Sequence, residues 1–262
     1  MGLLKQIATA REFPVALAIL VIFGFTSLAN PAFFSNRVLL DLFLGVAVIA
    51  ILAIGQTFVI VMRHIDLSVG STVGFSAFLI GDAYSKGFGI EVSLLWALGL
   101  GLAVGAVNGF LVAYLNLPSL VVTLASLYIV RGIFNEYAKG QTIIQSEVPP
   151  VANWLGLNKF LGIPYLFLIG LVLVLVAGFL MRRTSQARDL YAIGSNPEAA
   201  ELAGIPVRRR IMLAFMTNGA ITGLAGFVLL GRFNSANPNS GMMLELLVVA
   251  ACVVGGVTIA GG

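Results

Sequence analysis

Charge-free apolar stretches recur along the chain at 13–36, 42–62, 92–130, 160–181, 211–231 and 246–262, with a shorter one at 67–81. A segment this apolar must satisfy its backbone internally, so each predicts helix. About 20 such residues suffice for one membrane crossing. The 92–130 stretch is too long for one crossing and breaks at Asn116-Leu117-Pro118-Ser119, because the residue before a proline avoids the helical region. Spans follow at 92–115 and 118–134, beside others at 13–29, 38–62, 70–84 and 164–181. The 70–84 segment is the weakest, being short for a full crossing. Beyond residue 210, one span at 211–231 and a second at 245–262 complete the pattern.

Composition agrees with the pattern. Of 262 residues, 59% are hydrophobic and 10% charged, and mean hydropathy is +1.03. That excludes an ordinary soluble enzyme, a nucleic-acid-binding module and a disordered chain. The fold class is therefore all-α: a polytopic transmembrane helix bundle of about eight spans, a single domain over 1–262. The chain stops at Gly261-Gly262 directly after an apolar run, so the bundle is expected to lack C-terminal helices.

Net charge is +4, but its placement matters more. Six of the fifteen basic residues, Arg182, Arg183, Arg188, Arg208, Arg209 and Arg210, flank one polar loop at 182–210. Under the positive-inside rule this loop faces the cytoplasm, as does an N-terminus carrying Lys5 and Arg11. Six crossings separate the two, as parity requires. Segment 135–163 then lies outside, with Trp154 anchoring a half-helix at the interface. The first apolar stretch is read as a retained span rather than a cleaved signal.

Side-chain chemistry narrows the choice further. His64 is the single histidine, so no site needing two imidazoles can form, and no metal or cofactor is expected. Cys252 is alone in an apolar run, where it reads as a small core residue. Gly101, Gly105 and Gly109 repeat on one helix face, as do Gly219 and Gly223, which marks close backbone packing. Gln56, Thr57, Asn108, Ser126 and Asn218 are neutral polar groups within spans, able to line a path or to bond between helices.

Two polar segments interrupt the apolar pattern. Arg63-His64-Ile65-Asp66-Leu67-Ser68-Val69-Gly70-Ser71 carries Asp66 and Ser68, which can cap the helix that follows, and Gly70, which permits a turn or close approach. Arg63 or His64 are the expected partners of the Asp66 carboxylate. In the 182–210 loop, Asn196 suits an N-cap, Pro197 the first helical position and Glu198 the positive helix end. Gly204 suits the C′ position and Pro206 stops continuation. The result is a two-turn helix over 197–203, too short to be stable unless docked. Ala199, Ala200, Leu202 and Ala203 give it a small apolar surface for its own bundle or a partner's cleft.

With these residues in hand, the chain resembles the membrane permease of an ATP-binding-cassette importer, in the ribose/monosaccharide branch related to branched-chain amino acid permeases. The likeness is carried by Ile65-Asp66-Leu67-Ser68-Val69-Gly70-Ser71, by Pro118-Ser119-Leu120-Val121-Val122-Thr123-Leu124 with Arg131-Gly132, and by Ala192-Ile193-Gly194. It continues through Ala203-Gly204-Ile205-Pro206 and Glu245-Leu246 to Gly255-Gly256 and Gly261-Gly262. The chain departs at Arg63-His64, where the family has small residues, and at Leu244, where it has tyrosine. The resemblance implies a bacterial inner-membrane protein whose 196–206 segment seats on a cytoplasmic ATPase. Two permeases, alike or different, would join two ATPases and an extracytoplasmic sugar-binding protein to move a monosaccharide. The chain holds no Gly-x-x-x-x-Gly-Lys-Ser/Thr loop, so ATP hydrolysis is expected of a separate subunit. The alternatives are an ion-coupled secondary transporter, a branched-chain amino acid permease of the same superfamily and, more distantly, an intramembrane enzyme.

Overall fold

In the computed structural model, residues 13–258 and 261 are described; Lys5, Arg11 and Gly262 lie outside them. The helices, in chain order, are α1 Phe13–Ala29, α2 Asn36–Val61, α3 Val69–Ser85, α4 Ile90–Ala113, α5 Ser119–Ala138 and α6 Pro150–Leu157. They continue with α7 Tyr165–Arg183, α8 Ser185–Ser195, α9 Pro197–Leu202, α10 Val207–Phe233 and α11 Leu244–Val254. Five of them, α2, α4, α5, α7 and α10, are long and apolar enough to cross a membrane. The polytopic helix bundle therefore stands, while α1, α3 and α11 fall short of that length.

α10 runs through the centre, packed on α2, α3 and α4. Its fit to α4 depends on glycine. A Cβ on Gly101 would collide with the Gly219 carbonyl, one on Gly219 with the Gly101 carbonyl, and one on Gly223 with Ala97. The missing side chains let the two backbones touch, which multiplies weak dispersion contacts along the seam. α1 and α7 instead leave long apolar faces uncovered, among them Phe25, Leu28, Val172 and Phe179. Hydrocarbon solvates such faces as well as protein does.

The chain punctuates as its sequence predicts between α4 and α5. Asn116 takes a left-handed φ of 54° and Pro118 precedes α5. The half-helix expected in segment 135–163 also forms as α6, where Trp154 stacks on Tyr165 at 4.8 Å. Two elements were not foreseen. The all-α expectation misses a minimal antiparallel pair, Lys159–Phe160 with Ile163–Pro164, closed by Leu161 and Gly162 at φ 50° and 86°. Two successive positive φ values make the tight turn that joins such strands. α8 was missed as well, although Thr184 caps it by accepting from the Ala187 N–H at 3.2 Å.

Candidate functional site

The 184–206 loop folds as two helices joined at one residue. Asn196 ends α8 and caps α9, its side chain accepting from the Ala199 N–H at 3.0 Å. Gly204 takes φ 81°, the left-handed value that glycine reaches without steric cost. Pro197, Glu198, Ala199, Glu201 and Ala203 are exposed, and Leu202 is 90% exposed. Ala200 corrects the expected docking surface. It is buried in a cluster with Val59, Met62, Ile193, Ile211 and Phe215, so it fastens α9 to its own bundle. The other residues of the short helix face outward. α8 is tied to α10 by Asp189, whose Oδ2 accepts from Arg210 Nε at 2.9 Å and meets Nη2 at 2.6 Å.

The 62–68 segment is the second element. After α2 ends, the chain doubles back, with the His64 N–H reaching the Val59 carbonyl at 3.1 Å. It then extends between helices, and surrounding side chains replace the missing helical hydrogen bonds. The Ile65 N–H donates to Ser119 Oγ at 3.2 Å and its carbonyl accepts from Thr123 Oγ1 at 3.1 Å. Turned so that its oxygen faces the donor and its nitrogen the acceptor, the Gln56 amide brackets the Asp66 backbone, accepting its N–H at 3.1 Å and donating to its carbonyl at 3.2 Å. Non-helical backbone is stable among apolar helices only when it is satisfied in this way.

Asp66 is fully buried, but its partners differ from those expected. Oδ1 accepts from the Ser68 N–H at 2.9 Å and Ser68 Oγ at 2.6 Å, and Oδ2 from Asn218 Nδ2 at 3.0 Å. Neither Arg63 nor His64 pairs with it: Arg63 donates to the Ser195 carbonyl at 2.7 Å, and the His64 ring faces Phe215 at 6.1 Å between centroids. Ser68 occupies the N-cap position of α3 without a side-chain capping bond. Its hydroxyl goes to Asp66 and accepts from Asn108 Nδ2 at 3.0 Å, and Ser126 in turn donates to Asn108. Gly70 serves close approach rather than a turn, since a Cβ there would strike Glu245 and Gly241.

Gln56, Asn108, Ser126 and Asn218, the expected path-lining residues, are thus brought together. They bond to one another and to the extended segment, and the first two and Asn218 have no exposed surface. Thr57 stands apart, donating to Ala53 and facing Cys252 at 3.7 Å. Ser119 and Thr123 were missed as site residues. Their signal was present, as hydroxyls one turn apart at the start of an apolar span.

A second irregular stretch, built of turns, precedes α11. Arg131 Nη1 donates to the carbonyls of Pro238 and Ser240 at 2.7 and 2.8 Å, holding the 234–243 stretch against α5. Gly74 gives the Ser240 carbonyl room beside α3. α3 therefore follows an extended stretch packed inside the bundle, whereas α11 follows a turn-rich stretch that rests against α3 and α5. The neighbour of Asp66, Asn218, lies in the interior of the 27-residue α10. The segment before α3 accordingly covers depth that the helix itself lacks.

The chain thus combines an extended, side-chain-satisfied segment inside an apolar bundle with an exposed capped helix on its basic loop. Residues 38–262 match the family described as branched-chain amino acid transport system / permease component. The chain belongs to that family. Among similar proteins is the autoinducer 2 import system permease protein of Enterobacter sp. (strain 638), 38% identical over 259 residues, which are 99% of this chain and 75% of the relative. Another is its counterpart in Klebsiella pneumoniae subsp. pneumoniae, 36% identical over the same share of each. The L-arabinose ABC transporter permease protein of Azospirillum brasilense is 37% identical over 248 residues, 95% of this chain and 73% of the relative. No solved structure matches the chain. Membership makes this permease a transport component and sets aside the intramembrane enzyme.

Proposed function

We propose that this permease is the membrane subunit of an ATP-driven importer that moves a monosaccharide delivered by an extracytoplasmic binding protein. The observation that carries the coupling is α9, which is too short to stand alone in water. It is nonetheless capped at both ends, pinned by Ala200 and exposed on its remaining faces. Such a rigid small knob suits the cleft of a cytoplasmic ATPase. The arabinose relative supports a sugar as cargo.

In this reading the chain crosses the bacterial cytoplasmic membrane eight times, through α1, α2, α3, α4, α5, α7, α10 and α11. The extended 64–68 stretch completes the crossing of α3, and the turn-rich 234–243 stretch leads into that of α11. The arginines around 182–210 put that loop, and by parity the N-terminus, in the cytoplasm. A second permease, identical or related, pairs with this one around the path, and two ATPases dock beneath. ATP binding closes the ATPases, α9 moves with them, and the spans reorient so that the path opens to alternate sides.

The test is Glu198→Arg combined with Ala199→Arg. Both residues are exposed, so the variant is expected to insert and fold normally while losing co-purification of the ATPase and uptake from a panel of labelled monosaccharides. Unaltered uptake refutes the assignment. Labelled leucine in the same panel decides for the amino-acid branch of the family if it alone is taken up.

A further inference from the structure

Arg63 stands where α2 ends, with φ 66°, a backbone conformation that L side chains rarely adopt. Its long side chain makes a specific contact: Nη2 donates to the Ser195 carbonyl at 2.7 Å. Ser195 is the last residue of α8, and the next residue caps α9. The bond therefore falls on the joint between the two loop helices. A carbonyl at a helix C-terminus has no partner within its helix and sits at the negative end of the dipole, so a guanidinium matches it in hydrogen bonding and in charge. The chain beyond α11 returns to this joint too. Gly261 lies against the Gly194 carbonyl and Arg63 Nε with no room for a Cβ.

From Arg63 the backbone runs directly into the 64–68 segment. There Ser119 and Thr123 hold Ile65, Gln56 and Asn218 hold Asp66, and Asn108 holds Ser68. A displacement of Arg63 thus reaches α2, α4, α5 and α10 through a short chain of hydrogen bonds. Among the described residues, two other polar side-chain ties join α8 to the spans: the Asp189–Arg210 pair, which leads to α10 alone, and Thr184, which bonds Ala187 and the Leu180 carbonyl of the preceding α7.

Resting on the reading that α9 seats on the ATPase, we propose that Arg63 is a positioning residue. It transmits movement of the α8–α9 joint into the Asp66-centred segment inside the bundle. The decisive variant is Arg63→Gly, because glycine accepts the positive φ and removes the side chain without straining the fold. Arg63→Lys keeps the charge and is expected to recover part of the effect.

The permease, with Cys252→Ser and a Leu67→Cys reporter, is purified with its ATPase and placed in lipid nanodiscs. The rate of maleimide labelling is measured without nucleotide and with ATP and vanadate. With Arg63 present, nucleotide is expected to change the rate by about threefold or more, the scale of a coupling contact. With Arg63→Gly the change disappears, although the ATPase stays bound and hydrolyses ATP at its basal rate. An equal change in Arg63→Gly overturns the proposal, as does no change in the Arg63 parent with the ATPase bound. Failure of the ATPase to co-purify with the parent is a separate result, which overturns the docking of α9 and the strut with it.

Discussion

Asp66→Ala is the sharpest perturbation of the segment inside the bundle. The carboxylate takes three hydrogen bonds, from the Ser68 N–H, Ser68 Oγ and Asn218 Nδ2. Removing it strands three donors in a buried site. A stranded buried group costs about 1–3 kcal/mol in water-soluble proteins. Polar pairs between membrane helices average about 0.6 kcal/mol, because the unfolded chain in lipid also finds partners. The bounds for three bonds are thus about 2 and about 9 kcal/mol. We expect about 3 kcal/mol, near the lower bound, because polar pairs buried among membrane helices lie at that end of the range. At about 2 °C per kcal/mol for a chain of this size, the melting midpoint falls by about 6 °C. The assay is thermal challenge in detergent followed by fluorescence-detected size exclusion. Asn218→Leu removes one of the same bonds, so the double variant is expected to fall short of the summed effects by about 0.5–1 kcal/mol. Wild-type melting of Asp66→Ala, or strict additivity in the cycle, would refute the cluster as a cohesive unit.

A further outcome follows from the packing. Gly101→Ala places a methyl group against the Gly219 carbonyl and is expected to lower the melting midpoint by several degrees, whereas Gly99→Ala, which meets nothing nearby, leaves it unchanged or slightly raised.

Local chemistry made much of the architecture legible. Apolar runs located the long spans, Pro118 placed the break between α4 and α5, and the Gly101–Gly105–Gly109 face met α10 as its spacing required. Asn196, Pro197 and Gly204 wrote α9 almost to the residue. In each case the cause lies within a few positions: a cap, a fixed φ, a missing side chain or a run of apolar groups. α8 escaped because its helix is amphipathic and polar, lacking the apolar run that flagged the others.

What the sequence could not decide were pairings made across distance. It offered Arg63 or His64 as partners for Asp66, since they are adjacent in the chain, yet Asp66 turns to Asn218 and Arg63 to Ser195. It left five neutral polar residues free to line a path or to bond between helices, and four of them bond around one extended segment. It placed Ala199 and Ala200 on one docking surface, and the bundle buries only the second. These outcomes depend on which helices lie side by side at a given depth. There an unsatisfied polar group costs more than any local preference supplies, so the tertiary arrangement selects the partner. The sequence by itself determined a many-span bundle with a capped helix in its basic loop. Only the tertiary structure joined that loop to the buried segment, through one arginine.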